Sequence, residues 1–101
     1  MKPVDLFRTA SALPQAWSSR ALGDVGTARV KVLRMDGTGV AEEVHDVAEV
    51  LLVLDGRLEL TVEGADLSVR PGELCVVPAG ARHTVREGSL GTLVIVESTA
   101  A

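Results

Sequence analysis

Aromatic side chains are almost missing from this chain, which has one Trp, one Phe and no Tyr among 101 residues. A pocket that grips its ligand by ring stacking is hard to build from so few rings, so sugar-binding platforms and base-stacking surfaces are disfavoured. Positive charge is also in deficit, because 10 Lys and Arg residues face 14 Asp and Glu residues, for a net charge of −4. Nucleic acid and an anionic membrane are therefore not favoured partners.

Cysteine and long apolar runs are scarce as well. Cys75 is the single cysteine, so no internal disulfide forms, and its apolar neighbours predict a packing residue rather than a reactive thiol. The longest uninterrupted apolar run, Val50–Leu54, is far shorter than the ~20 residues of a membrane-spanning helix. No apolar stretch of signal-peptide length follows Met1. We therefore expect a cytoplasmic protein with a single domain over residues 1–101.

Short β-type segments separated by turn residues are what the chain does contain. They are 28–36, 47–54, 57–63, 66–69, 73–77, 83–86 and 91–97. Asp55-Gly56 is predicted to be a hairpin turn, and the first of these segments alternates Val30 and Val32 against Lys31. The first third is less regular, with a strand expected at 4–7, a helical turn within 9–17 and a strand at 15–23. Eight or nine short strands predict an all-β barrel or sandwich.

Two histidines, His45 and His83, each stand beside carboxylates. Glu43, His45 and Glu49 have the same parity, so they share one face if the strand continues without a bulge. His83 joins them if its strand lies next to this one. Imidazole nitrogens and carboxylate oxygens are the usual protein ligands of Zn, Fe, Mn and Ni. The same residues also fit a protein in which the histidines are hydrogen-bonded filler and the carboxylates form a solvated strand face, and parity leaves both possibilities open.

The turn residues around the first histidine resemble a motif of the cupins, a family of small jelly-roll barrels. That motif runs glycine, five residues, His-x-His, three or four residues, Glu, six residues and glycine. This chain has Gly37, five residues, Glu43-Val44-His45, three residues, Glu49, six residues and Gly56. The match is complete apart from Glu43, which stands where the family usually has its first metal histidine.

The second histidine lies in a stretch similar to the second cupin motif. That motif runs glycine, five residues, Pro-x-Gly, two residues, His, three residues and Asn. This chain has Gly72, Pro78, Gly80 and His83 at the same spacing, with Glu87 in place of the asparagine. The motifs occupy residues 37–56 and 72–87, and this short separation is typical of single-domain microbial members. The resemblance implies an all-β, double-stranded β-helix (jelly-roll) barrel.

The resemblance also implies a ligand set for a divalent metal ion, namely His45, Glu49 and His83. Glu43 has three interpretations: it is a fourth metal ligand, a catalytic general base beside a metal-bound water, or the mark of a site that has lost its metal. Two carboxylates favour harder ions such as Mn or Fe(II) over Cu, and the sequence does not choose among Mn, Fe(II), Ni and Zn.

For function, the resemblance implies a range of activities, from dioxygenases, isomerases and epimerases to non-enzymatic binding modules. Within that range we expect a metal-dependent protein that binds a small, anionic metabolite, with oxygenase or isomerase/epimerase chemistry at the ion. Whether the protein is an enzyme stays open. The alternative is a metal-free cupin that binds a small molecule or serves as a structural dimer module. Arg57, Arg82 and Arg86 lie near the motifs and either meet an anionic group or are ordinary surface residues.

A homodimer is expected because both parities of the strand at 47–54 are apolar. If the odd face lines the barrel, the even face, which includes Leu52 and Leu54, still needs cover. A partner subunit or the chain's own N-terminal segment, Val4–Trp17, would provide it.

Overall fold

Eight β-strands and one short helix make up the structure, a computed structural model that describes residues 1–100. The elements in chain order are α1 (Leu6–Ala12), β1 (Arg20–Val25), β2 (Ala28–Asp36), β3 (Val40–Glu43), β4 (Glu49–Val62), β5 (Ala65–Val69), β6 (Leu74–Val77), β7 (His83–Val85) and β8 (Leu90–Ser98). The strands pair antiparallel in the order β1-β2-β8-β4-β7-β3, with β5 and β6 also on β4. This is the all-β jelly-roll architecture that was predicted. No helix among residues 1–100 has the length and apolarity needed to cross a membrane.

The longest strand, β4, runs straight through the Asp55-Gly56 pair, so the predicted hairpin there was wrong. Gly56 does have the positive φ that such a turn needs, at 75°. It lies within the strand instead, because β8 pairs with β4 on both sides of it, and a β-bulge precedes it where the register shifts between Val53 and Asp55. The Asp55 carboxylate accepts a hydrogen bond from the backbone N–H of Thr92 at 2.6 Å, which fixes the bulge to the neighbouring strand.

The bulge lets β4 belong to two walls of the barrel. Its first part pairs with β6 and β8, and its second part, from Leu58 onward, pairs with β5 and β7. The extra residue also changes which parity points inward. Leu51 and Val53 are buried before the bulge, whereas Leu58 and Leu60 are buried after it. A single strand therefore supplies core residues, and site residues, to both walls.

The N-terminal segment forms a helix where a strand was predicted at 4–7. Asp5 is the N-cap of α1, because its side chain accepts a hydrogen bond from the backbone N–H of Arg8 at 3.0 Å. The helix ends before Pro14, which cannot continue it. The strand predicted at 15–23 begins only at Arg20. In between, Trp17 takes a positive φ of 67°.

Helix α1 covers part of the outward apolar face of the sheet. Its buried Ala10 packs against Val32 and Val94, and Leu52 and Leu54 lie against the same cluster. Helix α1 thus covers this face over β2 and β8, and Leu52 and Leu54 of β4 are half-buried beside the same cluster. The inward face is a separate core, which includes Leu33, Met35, Leu51, Val53, Leu58, Leu60 and Leu93.

Candidate metal centre

All four residues predicted as ligands line one cavity of about 330 Å³ inside the barrel. Glu43 is the last residue of β3, Glu49 is the first residue of β4 and His83 is the first residue of β7. His45 lies in the connection between β3 and β4. The condition under which Glu43, His45 and Glu49 would share one strand face, an uninterrupted strand, is therefore not met. Residues 44–48 are not a strand, so it is the pairing of β3 with β7 that places Glu43 directly opposite His83.

Glu43, His45 and His83 form a tight group whose potential ligand atoms all lie within 4.8 Å of one another. The Glu43 Oε2 atom is 3.0 Å from His45 Nε2, and the two imidazole rings are 5.2 Å apart between centroids. Ligand atoms around a four- to six-coordinate ion with bonds of about 2.1 Å lie about 3.0–3.4 Å apart. The group fits a divalent ion after a small closure of the side chains.

Glu49 touches the group through His83, with its Oε1 atom 3.3 Å from His83 Nε2. His83 Nδ1 lies 3.0 Å from the backbone carbonyl of Ala81. Since a carbonyl oxygen only accepts hydrogen bonds, Nδ1 carries the proton, and the Nε2 atom of neutral His83 presents a lone pair to the Glu49 carboxylate. Two acceptors that face each other at this distance need a proton or a metal ion between them.

The contact between His83 and Glu49 is buried in the barrel. His83 and Glu49 are the most enclosed members of the site, with side chains 5% and 10% exposed. Burial raises the pKa of Glu49 above its usual range, and the two histidines oppose that shift. Glu97, directly opposite Glu49 on β8, raises the pKa further. A carboxylate held this way is stabilised in its charged form by a nearby cation.

Lys31 and Glu97 also line the cavity and form an ion pair there, and sequence reasoning missed both. The alternation of Lys31 with Val30 and Val32 predicts two faces of the strand, but it does not show which face points into the barrel. Lys31 shares its parity with Leu33 and Met35, which are buried in the barrel core, and this was the signal that placed it inside. Trp17 lines the same cavity and was not predicted as a site residue.

The arginines considered as contacts for an anion lie outside the cavity lining. Arg86 pairs with Asp66 at 2.9 Å and with Glu59 at 3.1 Å, and Arg57 lies 3.6 Å from the same glutamate. These arginines belong to a charged network outside the cavity, and Lys31 is the cation that lines it.

Comparison with known proteins identifies the family. A sequence model described as the cupin domain matches residues 31–98, which is more than half of the chain. The chain is a cupin. It is 39% identical over 67 residues to quercetin 2,3-dioxygenase of Bacillus subtilis (strain 168), a match that covers 63% of this chain and 20% of that protein. The chain thus spans about a fifth of the length of that curated relative.

Solved structures agree on the architecture. The cupin superimposes on a cupin-2 domain containing protein of Shewanella frigidimarina NCIMB 400 with a TM-score of 0.84, at 22% identity, over 94% of this chain and 93% of that one. A protein of Ralstonia eutropha JMP134, provisionally named a mannose-6-phosphate isomerase, gives a TM-score of 0.82 at 22% identity, over 99% of this chain and 100% of that one. At such identities the likeness shows the fold alone.

Proposed function

We propose that this cupin binds one divalent metal ion in its barrel cavity, through His45, His83, Glu49 and Glu43, and uses the ion to bind a small anionic metabolite. The observation that carries the proposal is the contact between His83 Nε2 and Glu49 Oε1, at 3.3 Å. The Ala81 carbonyl holds the proton of His83 on Nδ1 and leaves Nε2 free to coordinate. A hydrogen bond of this kind, on the ring nitrogen that does not coordinate, orients the histidines of metal sites.

The charge of the cavity supports a cation in the same place. Its lining includes three carboxylates, those of Glu43, Glu49 and Glu97, against the single lysine Lys31. An anionic metabolite would be repelled by this set of charges, whereas a divalent ion brings it close to neutrality. We therefore expect the ion to bind first and the metabolite second.

When bound, the ion would act as a Lewis acid that polarises an oxygen of the metabolite. Glu43 is the more exposed carboxylate, with 47% of its side chain accessible. It serves as the fourth ligand or as a general base that takes a proton from the metabolite. Among reaction classes, oxygenase chemistry is favoured by the identity to quercetin 2,3-dioxygenase, and isomerase/epimerase chemistry is the second choice. The substrate itself is expected to be small, because a cavity of about 330 Å³ is at the lower end of ligand pockets.

The alternative is a metal-free cupin, in which a proton rather than an ion lies between Glu49 and His83. The raised pKa of Glu49, caused mainly by burial, is the observation that favours it. A protonated Glu49 can donate its O–H to His83 Nε2 and satisfy both groups without a metal. Such a protein would bind a neutral small molecule or act as a structural module.

The deciding experiment is the metal content of untagged protein, measured by elemental mass spectrometry. Wild type should carry close to one ion per chain, and His45→Ala and His83→Ala should lose it. Glu42→Gln is the matched control, because Glu42 is an exposed neighbour of Glu43 that does not line the cavity. If wild type contains no metal after incubation with Mn, Fe(II), Ni and Zn, the metal proposal is wrong and the metal-free cupin is favoured.

Glu43→His tests whether Glu43 is compatible with a metal site or marks a lost one. If Glu43 is a ligand, a histidine replaces it and the ion is retained. If Glu43 is the mark of a lost site, wild type is empty and the substitution restores binding. Trp17 provides a second readout, since it is the only tryptophan, the chain has no tyrosine, and its side chain lines the cavity. Quenching of its fluorescence by Ni²⁺ should follow metal uptake.

A further inference from the structure

One lysine stands inside the cavity, where Lys31 of β2 is paired with Glu97 of β8. The two side chains are 24% and 22% exposed, so both are largely enclosed and still accessible. The only other lysine in the sequence, Lys2, is exposed near the N-terminus. Cationic chemistry in the cavity therefore depends on this one side chain.

Stability does not explain why an ion pair stands there. The pair shares the cavity lining with Leu33, Leu93 and Ile95, and the Glu49 carboxylate lies directly opposite Glu97 on β4. An ion pair in such surroundings loses hydration, and well-packed hydrophobic residues would give equal or greater stability. A largely enclosed ion pair that lines a ligand cavity is thus a candidate for binding rather than for folding.

The pair is arranged so that Lys31 can engage a second partner. An ammonium group has three N–H donors, and the Glu97 carboxylate, its partner among residues 1–100, takes one of them. The other nearby cation, Arg29, lies directly opposite Glu97 in the β2–β8 ladder but forms its own ion pair with Asp24 at 2.9 Å. Lys31 therefore keeps two N–H donors for a ligand while it stays paired with Glu97.

We propose that Lys31 is the residue that selects the ligand, by binding a carboxylate or similar anionic group of a small molecule whose other end coordinates the metal ion. The inference rests on the proposed function. Lys31 and Glu97 belong to the wall formed by β2 and β8, whereas Glu43 and His83 are paired in the facing wall. Glu49, the remaining carboxylate ligand, lies on β4 directly opposite Glu97. A ligand with an oxygen-bearing group at each end, such as a short dicarboxylate, fits a cavity of about 330 Å³ between those walls.

The test compares dicarboxylates with a monocarboxylate on Ni²⁺-loaded protein. Malonate, succinate, glutarate and acetate are titrated by calorimetry, and elemental analysis after each titration checks that the ion is retained. At least one dicarboxylate should bind wild type tenfold or more tighter than acetate. Lys31→Met should abolish that advantage while acetate, which reaches the ion alone, binds unchanged. Lys31→Arg should keep most of the advantage, and Lys2→Met is the matched control.

A second variant tests for an indirect effect, because Lys31→Met also removes the positive charge that is paired with the Glu97 carboxylate. Lys31→Met combined with Glu97→Gln removes both charges, and it should also lack the dicarboxylate preference. Recovery of the preference in this double variant would show that Lys31 does not bind the ligand. The inference is also overturned if no dicarboxylate binds wild type more tightly than acetate.

Metal content separates this inference from the proposed function. If Lys31→Met is fully loaded with metal and keeps the wild-type preference, the role of Lys31 is wrong and the metal site stands. If wild type itself takes up no metal, the proposed function fails and this inference fails with it.

Discussion

Replacing Gly56 with alanine should destabilise the barrel strongly, because two separate costs meet at this residue. Gly56 has φ at 75°, and an L-residue in that conformation costs about 1–2 kcal/mol. In addition, a Cβ atom on Gly56 would lie 1.8 Å from the backbone oxygen of Leu90 on β8. The β4 and β8 backbones would have to separate by more than about 1 Å, which breaks ladder hydrogen bonds worth about 1 kcal/mol each.

The chain offers a matched control for the first cost alone. Gly64, in the turn between β4 and β5, has a similar φ of 79°, and a Cβ atom there would meet nothing within 4 Å. Gly64→Ala should therefore lower the free energy of unfolding by about 1–2 kcal/mol. Gly56→Ala should lower it by about 3–5 kcal/mol, a large part of the roughly 5–15 kcal/mol that stabilises a domain of this size.

The assay is equilibrium unfolding in urea, followed by Trp17 fluorescence and by circular dichroism. A difference of about 2–3 kcal/mol between the two variants corresponds to roughly 10–20 °C in Tm for a domain of about 100 residues. Equal losses in Gly56→Ala and Gly64→Ala would refute the reasoning, because the close approach of β4 to β8 would then carry no cost. Metal uptake should fall in Gly56→Ala as well, since the bulge joins the part of β4 that begins at Glu49 to the part that pairs with His83.

Two further predictions concern pH and assembly. Hydrogen bonds from Thr38 and then Trp17 hold the pKa of Asp36 below its usual 3.8, so the stability from ionised Asp36 is present above that value and lost as pH falls through the lowered pKa. The difference in the free energy of unfolding between wild type and Asp36→Asn should therefore decrease as the pH is lowered. Urea titrations at several pH values measure it, and a difference that does not change with pH contradicts the prediction. The predicted homodimer is checked by sedimentation velocity. Val76 on β6 is 56% exposed, and Val76→Glu should dissociate the dimer. A wild type that is monomeric at micromolar concentration would rule the dimer out.

The order of binding links the metal proposal to the proposed role of Lys31. Without an ion, the three carboxylates in the cavity lining outnumber its lysine and disfavour an anion. With an ion, the same cavity has positive charge at the metal and at Lys31. The cavity would then bind one end of a ligand at the metal ion and the other end at Lys31. Because the ligand must reach both positions, its length as well as its charge would determine the specificity.

The sequence by itself determined the strand content, the residues able to hold a metal and their family spacing. Strand periodicity and turn chemistry are local properties, so the segments at 28–36 and 91–97 were found with bounds close to β2 and β8. The spacing from Gly37 to Gly56 and from Gly72 to Glu87 carried the cupin resemblance, which the family match confirms. These features can be read locally because φ preferences and alternation depend on a few neighbouring residues.

Only the tertiary structure decided what those local signals do. Asp-Gly is as suitable for a strand beside a bulge as for a hairpin, and the pairing of β8 on both sides of Gly56 keeps it within β4. Likewise, β2 has two apolar faces, and the structure makes the face of Lys31, Leu33 and Met35 the inward one while α1 covers Val32 on the other face. His45 reaches the site from a loop, and Glu43 meets His83 through strand pairing. Pairing partners and inward faces are set by residues far apart in the chain, so a local pattern does not contain them.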